Sequence, residues 1–225
     1  MTEMVHGAVP VHAGEPVLSR WWRTVDRWTI SCVLLLVGVG LVLALASSPP
    51  LAARTHASPF YYFQKHLMFV GVSLVVMFLT SMQSPETIRR WGVIGFALGL
   101  FTLALLPVIG SDYGKGAVRW LSLGFTSIQP SEFVKPALAV TAAWLLAAGQ
   151  DLNGPPGKLL SFAAVLATVF LLVLQPDFGQ SVLVLFGWGV MYFLAGAPIL
   201  LLLGLAGTAL LGGVVAYNMY EHFAR

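Results

Sequence analysis

The sequence predicts an all-α fold, a polytopic bundle of membrane helices. Three observations predict it. Hydrophobic residues make up 58% of the 225 positions and charged residues only 9%, against about 25% charged in an ordinary soluble domain. The charges are spaced so that long stretches contain none. Leu, Val, Ala and Gly fill those stretches without strict alternation. A water-soluble globule could not cover its surface with so few charges, and a disordered chain needs the opposite balance. The net charge of +3, from 12 basic and 9 acidic residues, is too small and scattered for a nucleic-acid binder. Cys32 is the only cysteine, so the chain forms no internal disulfide and no Cys metal cluster.

Each crossing takes about 20 apolar residues to span about 30 Å of hydrocarbon. The uncharged runs are Trp28 to Ala53 (26 residues), His66 to Pro85 (20), Trp91 to Ser111 (21), Pro136 to Gln150 (15), Leu159 to Pro176 (18) and Phe178 to Tyr220 (43). The 15-residue run gains length by taking in Glu132 to Lys135. The last run is too long for one crossing, and Gly196-Ala197-Pro198 breaks it, since Gly-Pro clusters are turn signals. Seven spans follow, at about 28–47, 63–82, 91–110, 131–149, 159–175, 178–195 and 198–218. Backbone groups in lipid must be satisfied within the segment, so the spans are helices. The glycine pairs 38 and 40, 92 and 95, and 187 and 189 are small positions suited to close helix contacts, although glycine is common in membrane helices anyway.

Residues 1–27 read as a loose cytoplasmic tail, 28–218 as the membrane domain and 219–225 as the start of a large outer loop, truncated. Orientation rests on Lys and Arg placement. The totals divide six against six, but Arg20, Arg23 and Arg27 crowd the first span and favour a cytoplasmic N-terminus. Ala44-Leu45-Ala46 offers a signal-peptide cleavage pattern, yet the run is long and sits behind a 27-residue leader.

The connector at 47–59 is polar and Pro-rich. The segment Ser111 to Pro130 is different. It mixes Asp112, Lys115 and Arg119 with Tyr113, Trp120, Leu121, Leu123 and Phe125, a composition suited to the membrane interface with Trp120 as an anchor. Arg119 either holds a phosphate or pyrophosphate in its guanidinium fork or merely snorkels.

Next comes Gln129-Pro130-Ser131-Glu132-Phe133-Val134-Lys135. Glu132 suits a helix start, and Glu132 with Lys135 forms an (i, i+3) pair; equally, ionisable groups at the membrane boundary are costly and mark sites. The grammar repeats in Gln175-Pro176-Asp177-Phe178-Gly179-Gln180-Ser181. Asp177 is the only charge between Lys158 and Glu221, a stretch of 62 residues. It is either a helix-start acid bonded to backbone N–H groups or part of a site. On the expected topology Arg119, Glu132, Lys135 and Asp177 share the outer face, where two carboxylates and two cations can line a cleft for an anionic lipid headgroup, with a divalent ion on the carboxylates. The histidines at 6, 12, 56, 66 and 222 show no metal-binding spacing, and no nucleotide phosphate loop occurs. The last span has no lysine for a retinal Schiff base.

Gly116-Ala117-Val118-Arg119-Trp120-Leu121-Ser122-Leu123-Gly124, Gln129 to Lys135 and Gln175 to Gly179 together resemble the SEDS family (FtsW, RodA, SpoVE), and Trp21-Trp22-Arg23-Thr24-Val25-Asp26-Arg27 resembles its FtsW branch. The resemblance implies a ten-helix fold in the bacterial inner membrane. It implies a peptidoglycan glycosyltransferase that polymerises lipid II at the division septum. It further implies a class B penicillin-binding protein and other divisome membrane proteins as partners, and a divalent cation (Mg or Mn) rather than a nucleotide or haem. Arg119, Trp120, Gln129, Ser131, Glu132, Lys135 and Asp177 are then the substrate-binding candidates, with Glu132 and Asp177 as metal candidates. The family's catalytic aspartate sits in a PExHTDF-like outer loop that has no match up to Arg225, so the chain reads as the first two-thirds of a family member, inactive alone. A lipid II flippase and a non-catalytic divisome scaffold are the alternatives.

Overall fold

A computed structural model describes residues 17–112, 118–122, 124, 126–200, 203–205, 207 and 211–212. The chain divides into two compact units, Met1–Gln83 and Ser84–Arg225.

The first unit holds α1 (Val17–Thr24), α2 (Arg27–Thr55) and α3 (Tyr61–Ser81). Asp26 starts α2 by accepting from the N–H groups of Trp28 and Thr29 at 3.1 and 3.2 Å, which satisfies two of the donors a helix start leaves open. Part of the expected loose tail, residues 17–24, is therefore helical. Leu34, Leu35, Leu36, Val42 and Leu43 of α2 are exposed, and no residue of α3 is buried. Helices this apolar on all sides belong in lipid.

The expected connector at 47–59 is corrected. α2 runs on to Thr55 with Pro49 and Pro50 inside it. Proline keeps a helical φ, so the loss is confined to the bonds its missing N–H would give one turn back. Ser48 steadies this region. It is 1% exposed, donates to Pro59 O at 2.8 Å and accepts from Phe63 N at 3.2 Å.

The second unit holds α4 (Pro85–Ile109), three short strands, α5 (Pro130–Ala148), α6 (Gly157–Leu174) and α7 (Phe178–Leu194). Ser84 caps α4 through the Thr87 N–H, with Pro85 at the first helical position. Gly196, at φ +79°, follows the end of α7, so the glycine-proline break is real. The core is Leu103, Leu106, Val134, Leu138, Ala142, Val165, Leu172, Val184 and Trp188.

The strands are β1 (Ser111–Asp112), β2 (Val118–Ser122) and β3 (Ser127–Ile128), antiparallel in that order. The all-α expectation did not include them. The fold is nonetheless a polytopic helical membrane fold. Among the described residues, α2 to α6 are each long and apolar enough to cross a membrane, and α7 is a shorter apolar helix of 17 residues. The seventh expected span, 198–218, lies mostly outside the described residues.

Candidate functional site

Strand alternation sorts the residues of β2. Neighbours in a strand point to opposite faces. Leu121 packs against the core, and Arg119 shares its face. Trp120 faces away and is 38% exposed. Arg119 reaches the turn between α6 and α7, where Nε donates to Gln175 O at 3.2 Å and Nη2 donates to Pro176 O. Its Nη1 lies 3.7 Å from Asp177 Oδ1.

Asp177 is buried, 6% exposed, at the start of α7. Its carboxylate caps no backbone N–H. It accepts instead from Gln129 Nε2 at 3.3 Å, beside Arg119. The reading of Asp177 as a helix-start acid bonded to backbone N–H groups is therefore not realised. Beside it, Lys135 Nζ sits 2.7 Å from Glu132 Oε2 and donates to Gln180 Oε1 at 2.8 Å. Gln180 Nε2 in turn donates to Glu132 Oε1 at 3.3 Å. Arg119, Gln129, Glu132, Lys135 and Asp177 therefore gather where α5 and α7 begin, and their formal charges cancel. Ser131 is 3% exposed at the same place, and its hydroxyl has no hydrogen-bond partner.

Two members escaped the sequence reading. Gln180 bridges both charges of the α5 pair, and Gln175 supplies a carbonyl to Arg119. The signal for Gln180 was present in Asp177-x-x-Gln180, the spacing of a capping box, but its amide is used across helices. Tyr113, Lys115, Gly116, Ala117, Leu123, Phe125, the side chain of Asp112 and residues 213–225 lie outside the described residues.

The donor set does not by itself fit a divalent cation. Among the described residues no three His, Cys, Asp or Glu side chains converge. Glu132 is engaged by Lys135 and Gln180, and Asp177 by Gln129 and Arg119. What the cluster offers chemically is a preorganised edge of partly exposed cations, Arg119 at 33% and Lys135 at 22% side-chain exposure, beside fixed amides. Such an arrangement suits an anionic, oxygen-rich group.

The FtsW/RodA/SpoVE family, described as "Cell cycle protein", matches residues 26–225. A probable peptidoglycan glycosyltransferase FtsW of Caulobacter vibrioides is 40% identical over 206 residues, covering 91% of this chain and 53% of that protein. Its counterpart in Halorhodospira halophila is 34% identical over 218 residues, covering 92% and 53%. The crystal structure of the rod shape determining protein RodA of Thermus thermophilus superposes with a TM-score of 0.68 at 30% identity, covering 84% of this chain and 60% of RodA. A chain from a peptidoglycan synthase complex that coordinates polymerization and crosslinking gives a TM-score of 0.70 at 29% identity, covering 91% and 58%. The chain thus spans about half the length of the curated relatives it matches.

Proposed function

The chain belongs to the FtsW/RodA/SpoVE family, and we propose that it contributes the substrate-holding part of an FtsW-like peptidoglycan glycosyltransferase of the division septum. The observation that carries this is the meeting of two Gln-Pro-acid segments, 129–132 and 175–177, with an arginine from β2 held against them. The substrate is lipid II in the bacterial inner membrane. The N-terminus is cytoplasmic, and α5 and α7 therefore begin at the outer face.

In the proposed reaction an acceptor 4-hydroxyl attacks the anomeric carbon of a donor. A C–O bond forms there as the bond to undecaprenyl pyrophosphate breaks. The leaving group carries developing negative charge, and fixed donors aimed at it lower the barrier. Lys135 and the remaining N–H groups of Arg119 supply those donors. Gln129 and Asp177 hold Arg119, and Gln180 with Glu132 holds Lys135. Trp120, on the exposed face of β2, completes the proposed contacts, while the buried Ser131 lies behind them. A base must take the hydroxyl proton. The resemblance assigns that role to an aspartate of an outer-loop motif, and the residues of this chain bind and orient the substrate for it. The strands made in this way pass to a class B penicillin-binding protein.

No Asp, Glu, Lys or Arg lies within 91–109, 136–148, 159–174 or 178–194. That absence of a charged path along α4 to α7 supports a site at one face over a transport route. The test is binding of fluorescent lipid II to the chain in nanodiscs. We expect Lys135→Ala to weaken binding by roughly tenfold, about the worth of one charge-assisted hydrogen bond. Equal binding by wild type and by the Lys135→Ala, Arg119→Gln double variant would overturn the reading.

A further inference from the structure

The site above draws no residue from the first unit. In that unit α3 has 21 residues and rises about 31 Å, which matches the thickness of the hydrocarbon. Its first residue therefore marks a membrane boundary, the outer one on the orientation proposed above. Phe60 and Tyr61 are exposed there, and Tyr61 meets Tyr62 edge-on with centroids 5.2 Å apart. Such aromatic rings fix the depth of a span at the headgroups. Lys65 follows four residues later, about 6 Å inside the boundary. Helical side chains slant toward the helix N-terminus, so the Lys65 stem carries its ammonium back up to the headgroups.

Tyr61, Gln64, Lys65 and Met68 fall at i, i+3, i+4 and i+7 and share one face of α3. Tyr61 and Gln64 are exposed, and Lys65 is partly exposed. Among the described residues, no hydrogen bond or ion pair engages the Tyr61 hydroxyl, the Gln64 amide or the Lys65 ammonium. The unit's own acids lie elsewhere: Glu3, Glu15 and Asp26 all precede α2. The end where α2 gives way to α3 carries Arg54 and Lys65 and no Asp or Glu. An ammonium at this depth without a counter-ion is costly. We propose that this face of α3 holds the phosphate of an anionic phospholipid from the outer leaflet, with Lys65 as its counter-ion and Tyr61 and Gln64 as hydrogen-bond donors. Two observations favour a lipid over an acidic protein. Lys65 is rooted inside the span, where lipid phosphates are the anions at hand. Below it the same face turns apolar, with Met68 54% and Val72 56% exposed, so a headgroup bound at Lys65 lays its acyl chain along them. One lysine at the headgroups gives an anionic lipid roughly five-fold preference over a zwitterionic one.

The experiment attaches bimane at Met68→Cys in a Cys32→Ser background of the full chain, in phosphatidylcholine nanodiscs. A small fraction of the lipid, either phosphatidylglycerol or phosphatidylcholine, carries a quenching nitroxide near the top of one acyl chain. We expect the labelled phosphatidylglycerol to quench several-fold more efficiently than the labelled phosphatidylcholine at the same fraction. Lys65→Gln should bring the two lipids level, and Lys65→Arg should keep the difference. Equal quenching by the two lipids in the chain that retains Lys65 would overturn the proposal and leave the face to an acidic protein partner. A preference for phosphatidylglycerol that survives Lys65→Gln would also overturn it, by assigning the attraction to other cations such as Arg54.

Discussion

Gln175 repairs a defect that Pro107 creates. Pro107 lies inside α4 and has no N–H for the Leu103 carbonyl one turn earlier. Gln175 Nε2 donates to that carbonyl at 3.0 Å, in a fully buried position. The main-chain carbonyl of the same residue accepts from Arg119 Nε. One glutamine thus joins a broken turn of α4 to the arginine of the proposed site.

This predicts that Gln175→Leu destabilises the protein by about 1–3 kcal/mol, the cost of a buried carbonyl left without a donor. Pro107→Ala restores a helical N–H and should recover most of that loss when combined with Gln175→Leu. Thermal unfolding in detergent, followed by tryptophan emission, gives the comparison. Additive effects of the two substitutions would show that they act on different groups.

Arg119 should be irreplaceable by lysine. Its contacts with the Gln175 and Pro176 carbonyls need a fork of donors, whereas its pairing with Asp177 is long at 3.7 Å and the side chain is one-third exposed. At that separation the pairing adds little to the hydrogen bonds already made. Arg119→Lys is therefore expected to lose about 2 kcal/mol, close to the loss in Arg119→Gln, because hydrogen bonds from a charged donor carry more than the pairing. Full rescue by lysine would assign the effect to charge instead.

Some of the site was legible in the sequence, and the reason is range. Glu132 and Lys135 are three apart on a helix, so their pairing follows from helical geometry. Asp177 finds Gln129 across 48 positions and Arg119 across 58, and no local pattern encodes such a meeting. The strands were missed because two of them are only two residues long, too short to show a period. Pro49-Pro50 reads as a connector from composition, but α2 carries it because only the bonds to the preceding turn are lost. Among the small positions, Gly92 and Gly95 do face α5, at Val140 and Ala137, while Gly38 and Gly187 face open space. A spacing of glycines cannot distinguish these cases.

Gly99 gives the third prediction. A methyl there would meet Val134 Cγ2 at 2.6 Å, inside the core that α4 and α5 share. Gly99→Ala should cost about 1–3 kcal/mol by overpacking, and Val134→Ala in the same chain should relieve it. At Gly187 the added methyl meets nothing within 4 Å. Gly187→Ala should be neutral or stabilising, since alanine is the better helix former. Unfolding midpoints of the three variants separate the two effects.

The cap of α2 should be sensitive to acid. The Asp26 carboxylate accepts from the Thr29 hydroxyl and from the N–H groups of Trp28 and Thr29. Those bonds, the Thr29 hydroxyl first, favour the ionised form and hold its pKa below the ordinary carboxylate value. A carboxyl lowered on folding stabilises the fold fully above its unfolded pKa, and the stabilisation is lost as pH falls through the lowered, folded value. Protection of the Trp28 and Thr29 amides against hydrogen exchange, corrected for the intrinsic rate, should therefore hold at neutral pH and fall in acid. Asp26→Asn keeps an acceptor for the cap but cannot titrate, so its protection should be flat across the same range. An identical acid response in the two proteins would mean that another group opens the start of α2.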